Sequence, residues 1–207
     1  MRNSIKLAMS PGEAWIVIAA YNEAPALGPV LQGLLENQAN VVVVDDASTD
    51  ETARVAERFT VHVLRHRFNL GQGAALKTGI QYALGRGAEI IVTFDADGQM
   101  DPRDIPALCR PLIAGDADLV LGSRFISGSR ASMPRARGLL LRAGALATSL
   151  ATGLKLTDIH NGLRALNRRA ADGIDITHGR MAHASEIVHR AAALGLRTRR
   201  RDAVDGA

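Results

Sequence analysis

Short runs of aliphatic and β-branched residues alternate along the chain with longer stretches whose apolar side chains recur every three or four positions. The short runs predict strands buried on both faces, at residues 15–20, 41–44, 61–64, 90–94, 118–121 and 162–167. The longer stretches predict helices at 25–37, 52–59, 74–84, 103–114, 135–152 and 181–194. This alternation is typical of an α/β fold with a mostly parallel sheet flanked by helices.

Size and composition indicate one ordinary folding unit. A chain of 207 residues, of which 47% are hydrophobic and 22% charged, is neither a disordered chain nor a membrane bundle. Lone Cys109 cannot form an internal disulfide or a thiol pair for zinc, which indicates a reducing compartment. The least polar stretch, 143–154, is too short to span a bilayer. We therefore expect a cytoplasmic protein.

Charge is unevenly divided along the chain, although 25 basic and 21 acidic residues give a net of only +4. Residues 1–123 hold 10 Lys and Arg against 15 Asp and Glu, a net of −5, so the remainder, with 15 against 6, carries +9. Seven aromatic residues are few for a protein that stacks bases, so nucleic acid is not the expected partner. We divide the chain into a flexible segment 1–13, an acidic α/β part 14–123, a basic part 124–196 of the same domain, and a basic tail 197–207.

Polar clusters follow four of the predicted strands. They are Ala20-Tyr21-Asn22-Glu23, the run from Asp45-Asp46 to Asp50, Asp95-Ala96-Asp97-Gly98-Gln99, and Gly122-Ser123-Arg124. Ligands of open α/β sheets lie beyond the carboxyl ends of the strands, so we expect all four clusters on one rim. Each alone is consistent with a helix cap or a turn, but several carboxylates on one rim repel each other unless a cation compensates. Asp95 and Asp97 suit Mg²⁺ or Mn²⁺ completed by substrate phosphates.

A glycine-rich segment, 69–74, follows the third predicted strand and begins a helix. A dinucleotide-binding fingerprint fits it poorly, because Leu76 occupies the place of the third glycine and the segment does not follow the first strand. The glycines are more consistent with a tight turn near a ligand. Lys77 on the same helix is a candidate phosphate ligand, and a solvated helix lysine fits the pattern equally well.

Five strings, in order and spacing, carry a resemblance to a known family: AAYNEA, VVVVDDASTD, NLGQGAALKTGI, TFDADGQMDP and GSRF. Over about residues 14–167 the chain resembles the GT-A family 2 glycosyltransferases, especially the dolichyl- and polyprenyl-phosphate mannose or glucose synthases. The resemblance implies a single-domain, Rossmann-like GT-A fold and a part in cell-envelope glycan biosynthesis. It also implies an inverting, metal-dependent transfer of a hexose from a UDP- or GDP-sugar to a polyprenyl phosphate.

The resemblance further implies roles for individual residues. Nucleotide-sugar binding is expected, with Lys77 as a further candidate, at Ala20, Tyr21, Asn22, Glu23, Asp45, Asp46, Asp95 and Ala96, where Asp45 would meet the base edge and Asp46 would support the loop. Metal binding falls to the DxDxQ residues Asp95, Asp97 and Gln99. Acceptor-phosphate binding falls to Arg124, Arg137 and Arg164, and the catalytic candidates are Asp95, Asp97, Arg124, Asp158 and Glu186.

The chemistry of the acceptor separates the alternatives. A phosphate is already anionic near neutral pH and needs arginines to position it, not a general base. A glycan or small-molecule hydroxyl would need a base, for which Asp158 and Glu186 are candidates. A nucleotide-sugar-binding module without catalysis is the third option. His183 and His189 flank Glu186 at a spacing that loosely resembles helix-borne metal ligands, but no second such motif completes a site.

The basic end of the chain has two interpretations. It could dock on anionic headgroups, which would bring the protein to the inner face of the membrane, or it could be a solvated tail. The choice between uracil and guanine, the donor sugar and the oligomeric state stay open at the level of sequence.

Overall fold

The computed structural model describes residues 14–36, 40–122, 162–177 and 183–201. Its strands are β1 (Trp15–Ala20), β2 (Asn40–Asp45), β3 (His62–Arg65), β4 (Ile90–Asp95), β5 (Leu119–Gly122), β6 (Arg164–Asn167) and β7 (Thr198–Arg201). Its helices are α1 (Ala24–Glu36), α2 (Thr52–Ala56), α3 (Gln72–Gly85), α4 (Ile105–Ile113, after a 3-10 turn at Pro102–Asp104), α5 (Arg168–Gly173) and α6 (His183–Ala193).

The seven strands form one sheet in the order β3-β2-β1-β4-β6-β5-β7. β6 runs antiparallel to its neighbours β4 and β5, and the other pairs of strands are parallel. The predicted α/β fold with a mostly parallel sheet flanked by helices is therefore confirmed. The carboxyl ends of β1, β2, β4 and β5 meet at one edge, which we call the carboxyl edge.

Apolar side chains cover both faces of the sheet, because successive residues of a strand point to opposite faces. Val17, Val42 and Ile91 belong to the core under α3, α5 and α6, whereas Ile18 and Val92 belong to the core under α1 and α4. Helix α3 lies close to β1: a Cβ on Gly79 would stand 2.4 Å from Val17 Cγ1. This close contact fixes the first turn of α3 relative to the carboxyl edge.

The C-terminal part differs from its prediction. The tail expected from residue 197 was wrong for 198–201, because these residues form β7 and pair with β5 in parallel. Arg197 leads into this strand, and its guanidinium binds the buried carboxylate of Asp118 at 2.9 Å. Helix α5 was not predicted, and Asn167 caps it by accepting the Ala170 N–H at 2.9 Å. The predicted segment 1–13 and the helix at 135–152 lie outside the described residues.

None of the helices in the described ranges has both the length and the apolar character of a bilayer-spanning segment.

Candidate active site

Two adjacent strand ends bring the first polar clusters together. β1 and β2 pair in register up to Ala20 and Asp45, and the Asp46 N–H donates to the Ala20 carbonyl oxygen at 2.8 Å. On the other side of β1, Ala19 lies opposite Asp95 of β4. Three of the predicted clusters therefore share the carboxyl edge, as the strand pattern indicated.

The turn after β1 is bonded to the loop after β2. Asn22 has a φ of 57°, which is rare for a residue with a side chain. Its Oδ1 accepts the Thr49 N–H at 2.9 Å, while its own N–H donates to Ser48 Oγ at 3.0 Å. These bonds hold the backbone around Tyr21, whose ring is exposed, in one conformation beside the end of β2.

Asp45 and its partner Arg65 occupy the ends of β2 and β3. The Asp45 side chain is fully buried, its Oδ1 accepts the Ser48 N–H at 3.1 Å, and its Oδ2 accepts from Arg65 Nε at 3.0 Å. Because these donors use both carboxylate oxygens, the local charge at the expected base position is a carboxylate–guanidinium pair. Sequence reasoning did not identify Arg65, whose only signal was its place at a strand end.

Asp46 organises the loop between β3 and α3. Its Oδ1 accepts from His66 Nδ1 at 2.7 Å and from the Leu70 N–H at 3.0 Å, and its Oδ2 accepts the Gly71 N–H at 2.7 Å. The second ring nitrogen of His66 lies 2.9 Å from Thr78 Oγ1 on α3. Gly71 has a φ of 92°, a conformation that favours glycine, so the tight turn expected of the glycine-rich segment is present.

Asp95 is held from two sides by residues outside its own motif. Gln72, the first residue of α3, donates from Nε2 to Asp95 Oδ1 at 3.2 Å. Behind the carboxylate stands Gly162, on which an added Cβ would lie 2.1 Å from Asp95 Oδ2. The Gly162 carbonyl oxygen accepts from Thr93 Oγ1 on β4 at 2.5 Å. Sequence reasoning quoted both residues only within longer strings, and nothing in the spacing linked them to Asp95.

The rest of the DxDxQ motif forms a short turn. Ala96 is buried, Asp97 and Gln99 are exposed, and Asp97 Oδ1 accepts the Gln99 N–H at 3.0 Å. In the described ranges no group of three His, Cys, Asp or Glu side chains is arranged to hold a metal by itself. Two carboxylates and an amide are instead a donor set that Mg²⁺ or Mn²⁺ can share with phosphate oxygens.

Electrostatics at the rim also fit a cation. Burial and then the negative charge of Asp97 raise the pKa of the Glu23 carboxyl above its ordinary value. Asp50 and Asp95 add contributions of the same sign to the pKa of Glu23. Carboxylates that disfavour each other's ionisation are stabilised by a bound divalent cation. The residues present therefore fit the metal that the sequence implied.

Two candidates are engaged by side chains away from the strand ends. Lys77 forms an ion pair with Asp175 at 2.6 Å, beside a groove between α3 and residues 176–177. The Glu186 carboxylate on α6 accepts the Thr177 N–H at 3.0 Å and a bond from Arg190 Nε at 3.1 Å. Neither contact brings these side chains to Asp95 or Asp97.

The acceptor-side residues are only partly within the described chain. Arg164 begins β6 opposite Thr93 and Leu121, and it is 2% exposed. By the alternation of the strands, it lies on the face of the sheet that carries Thr93 and Asp95. Arg124, Arg137 and Asp158 lie outside the described residues.

Comparisons with known proteins agree with this geometry. Residues 15–174 match the family model described as glycosyl transferase family 2. An undecaprenyl-phosphate mannosyltransferase of Micrococcus luteus is 37% identical over 169 residues, covering 77% of this chain and 68% of that protein. A UDP-N-acetylglucosamine–dolichyl-phosphate N-acetylglucosaminyltransferase of Methanococcus voltae is 32% identical over 175 residues, covering 75% and 70%.

The fold also has a solved counterpart. Glucosyl-3-phosphoglycerate synthase from Mycobacterium tuberculosis, determined with Mn²⁺, UDP and glucosyl-3-phosphoglycerate, superposes with a TM-score of 0.71 over 90% of this chain and 68% of that chain. The sequence identity is 20%, so this likeness concerns the fold.

Proposed function

Because this chain belongs to glycosyltransferase family 2 and has the GT-A fold, we propose that it transfers a hexose from a UDP- or GDP-sugar to a polyprenyl phosphate at the membrane surface. The reaction depends on Mg²⁺ or Mn²⁺ and inverts the anomeric centre. The carboxylate rim of Asp95, Asp97 and Glu23 is the observation that carries the proposal, since it needs a cation and a diphosphate brings one. Two relatives have names that specify undecaprenyl phosphate and dolichyl phosphate.

Asp95, Asp97 and Gln99 would hold the metal, which neutralises the leaving diphosphate as a Lewis acid. Asp95 is fixed for this task by the Gln72 amide and by the close contact of Gly162. A carboxylate whose position is set before the ligand arrives loses little freedom on binding it, and the same preorganisation favours the charge that develops in the transition state.

The nucleoside part of the donor would lie over the ends of β1 and β2. Ala20, Tyr21 and Asn22 form one wall, in which the exposed Tyr21 ring offers a surface for the base. Asp45 forms the floor, and its bonds to Ser48 and Arg65 fix the carboxylate orientation. Asp46 contributes indirectly by holding the loop before α3 in place.

The acceptor phosphate would be positioned by arginines, with Arg124, Arg137 and Arg164 as the candidates. A phosphate acceptor is favoured over a hydroxyl because Glu186, one of two candidate bases, already accepts bonds from Thr177 and Arg190. An anionic phosphate oxygen needs orientation but no proton acceptor. Asp158 remains the candidate base for a hydroxyl acceptor.

The proposal is tested by supplying the purified protein with Mn²⁺ or Mg²⁺, a panel of nucleotide sugars, and either a short polyprenyl phosphate or the corresponding alcohol. We expect nucleotide diphosphate release that requires both the metal and the phosphorylated lipid. Glu186→Gln should retain this activity. Release with the alcohol that is lost in Glu186→Gln would favour the hydroxyl acceptor instead, and saturable nucleotide binding without any release would identify a binding module.

A further inference from the structure

The loop between β3 and α3, residues 66–71, exposes two large apolar side chains. Phe68 is 69% exposed and Leu70 is 56% exposed. Among the described residues only Tyr21 and Leu194 are comparably exposed large hydrophobic residues. Isolated apolar side chains on a surface are ordinary, whereas two within three residues of one loop form a patch that indicates a partner.

The exposure of this loop is imposed by its backbone bonds. The buried Asp46 carboxylate accepts the N–H groups of Leu70 and Gly71, and the His66 N–H donates to the Asp45 carbonyl oxygen at 2.9 Å. The His66 ring, bonded to Asp46 and Thr78, fixes the other end of the loop. Phe68 and Leu70 are therefore presented outward by a loop that is anchored at both of its ends.

The charge around the two apolar side chains is positive. Arg67 is exposed, the Arg65 side chain is 57% exposed, and residues 65–71 contain no carboxylate. Arg65 shares its charge with Asp45, so Arg67 is the cation nearest in sequence to Phe68 without such a pair among the described side chains. Apolar side chains flanked by arginine suit the boundary of an anionic bilayer, where the rings enter the acyl region and the guanidinium meets phosphate.

The position of the loop agrees with that partner. It follows the carboxyl end of β3, at the same edge of the sheet as Asp95 and Asp97. The phosphate of a polyprenyl lipid stays at the headgroup level of the bilayer, so the edge that carries the candidate site must face the membrane for the acceptor to reach it.

We propose that loop 66–71 docks the protein on an anionic lipid bilayer, with Phe68 and Leu70 entering the interface and Arg67 contacting lipid phosphates. This inference rests on the proposed function, because a lipid-phosphate acceptor is what requires the carboxyl edge to approach a bilayer.

The test measures binding of the full chain to vesicles of phosphatidylcholine with and without phosphatidylglycerol, in the absence of sugar and acceptor. We expect binding that needs phosphatidylglycerol, weakens with salt, and falls by about tenfold or more in Phe68→Ser/Leu70→Ser. Arg67→Gln should weaken it by about fivefold. The matched control is Leu194→Ser, which removes an exposed leucine at the opposite edge of the sheet, just before β7 begins. This variant should bind as the wild type does.

Equal vesicle binding by wild type and the Phe68/Leu70 variant, or equal loss in Leu194→Ser, would overturn the inference. So would weaker binding of UDP or GDP with Mn²⁺ in the Phe68/Leu70 variant, because the loop would then belong to the donor site. Sugar transfer to a water-soluble short-chain polyprenyl phosphate distinguishes the two proposals. Transfer without loop-dependent vesicle binding contradicts only the docking role, and loop-dependent vesicle binding without transfer contradicts the proposed function.

Discussion

Gly162 lies directly behind the carboxylate of Asp95, so that a Cβ at residue 162 would stand 2.1 Å from Oδ2 and 2.2 Å from Oδ1. Real Cβ atoms do not approach oxygen so closely, and the carboxylate must move if a side chain is added. The contact joins two segments that are far apart in sequence, and it leaves glycine as the residue that fits behind this candidate metal ligand.

Gly162→Ala should therefore displace Asp95 and weaken metal binding in the presence of nucleotide. We expect turnover to fall by about tenfold or more, because a small misplacement of a catalytic group has a large effect on rate. The measurement is a Mn²⁺ titration of nucleotide binding alongside initial rates. Gly85→Ala is the control, since a Cβ there meets no atom within 4 Å, and it should leave both quantities unchanged. Wild-type behaviour of Gly162→Ala would show that Asp95 does not hold the metal.

Gln72→Leu removes the amide that donates to Asp95 Oδ1 while keeping the size of the side chain. One hydrogen bond to a charged group contributes about 1.5–3 kcal/mol, and exposure of Gln72 to water reduces this, so we expect metal affinity to fall by about fivefold. Nucleotide binding without metal should be unaffected. Gln81→Leu on the same helix serves as the matched control, because Gln81 is exposed and lies beyond the first turn. A loss of equal size in both variants would contradict a specific role of Gln72.

Asp46→Asn replaces a buried carboxylate that accepts from two backbone N–H groups and from His66. An amide cannot serve all three donors, so the free energy of unfolding should fall by about 1–3 kcal/mol. Hydrogen exchange at the Leu70 and Gly71 amides should become faster, whereas exchange in β1 should change only as far as global stability does. Unchanged protection at Leu70 and Gly71 would contradict the anchoring of the loop by Asp46.

Stability at acidic pH should depend on Asp118 at the amino end of β5. Hydrogen bonds from the Arg197 guanidinium hold the pKa of the Asp118 carboxyl well below its usual range. A pKa that is lower in the folded than in the unfolded chain stabilises the fold above the unfolded value, about 3.9, and this contribution is lost as the pH falls below it. Asp118→Asn should thus lower the melting temperature near neutral pH.

The difference in melting temperature between wild type and Asp118→Asn should narrow as the pH falls from about 4 toward the lowered pKa of Asp118. A difference that is independent of pH would show that the ion pair with Arg197 contributes nothing specific to stability.

Cys109 should be unreactive while the protein is folded. It is fully buried in α4, and burial raises the pKa of its thiol to about 12. The thiolate that reacts with alkylating agents is therefore scarce near neutral pH, and reagent has no access to it. Mass spectrometry after iodoacetamide treatment should find modification only once denaturant is added. Rapid labelling of the native protein would contradict the packing of α4.

The strands that sequence predicted best are those whose order comes from hydrophobic burial, such as β1 and β4. β7 was missed because its residues, Thr198–Arg201, carry no apolar pattern. Its place at the sheet edge comes instead from backbone pairing with β5, and Arg197 strengthens the attachment through Asp118. Such strand formation depends on a partner that is distant in sequence, and local composition does not encode it.

The candidate site shows the same division. That Asp45 and Asp95 share one edge follows from their places at the ends of parallel strands, and sequence predicted it. The contacts of Asp95 with Gln72 and Gly162 depend on the approach of α3 and of the segment before β6. Those distances are set by tertiary packing, including the close contact of Gly79 with Val17, and spacing alone could not give them.

The most direct test of the whole account is the identity of the covalent product. Wild-type protein would be incubated with Mn²⁺, radiolabelled UDP- or GDP-sugars and a short polyprenyl phosphate, and the lipid fraction analysed by mass spectrometry and by the anomeric configuration of the sugar. We predict one hexose joined to the lipid phosphate with inverted configuration, and no such product from Asp97→Asn. A product with the sugar on a hydroxyl, with retained configuration, or formed equally by Asp97→Asn would contradict the account.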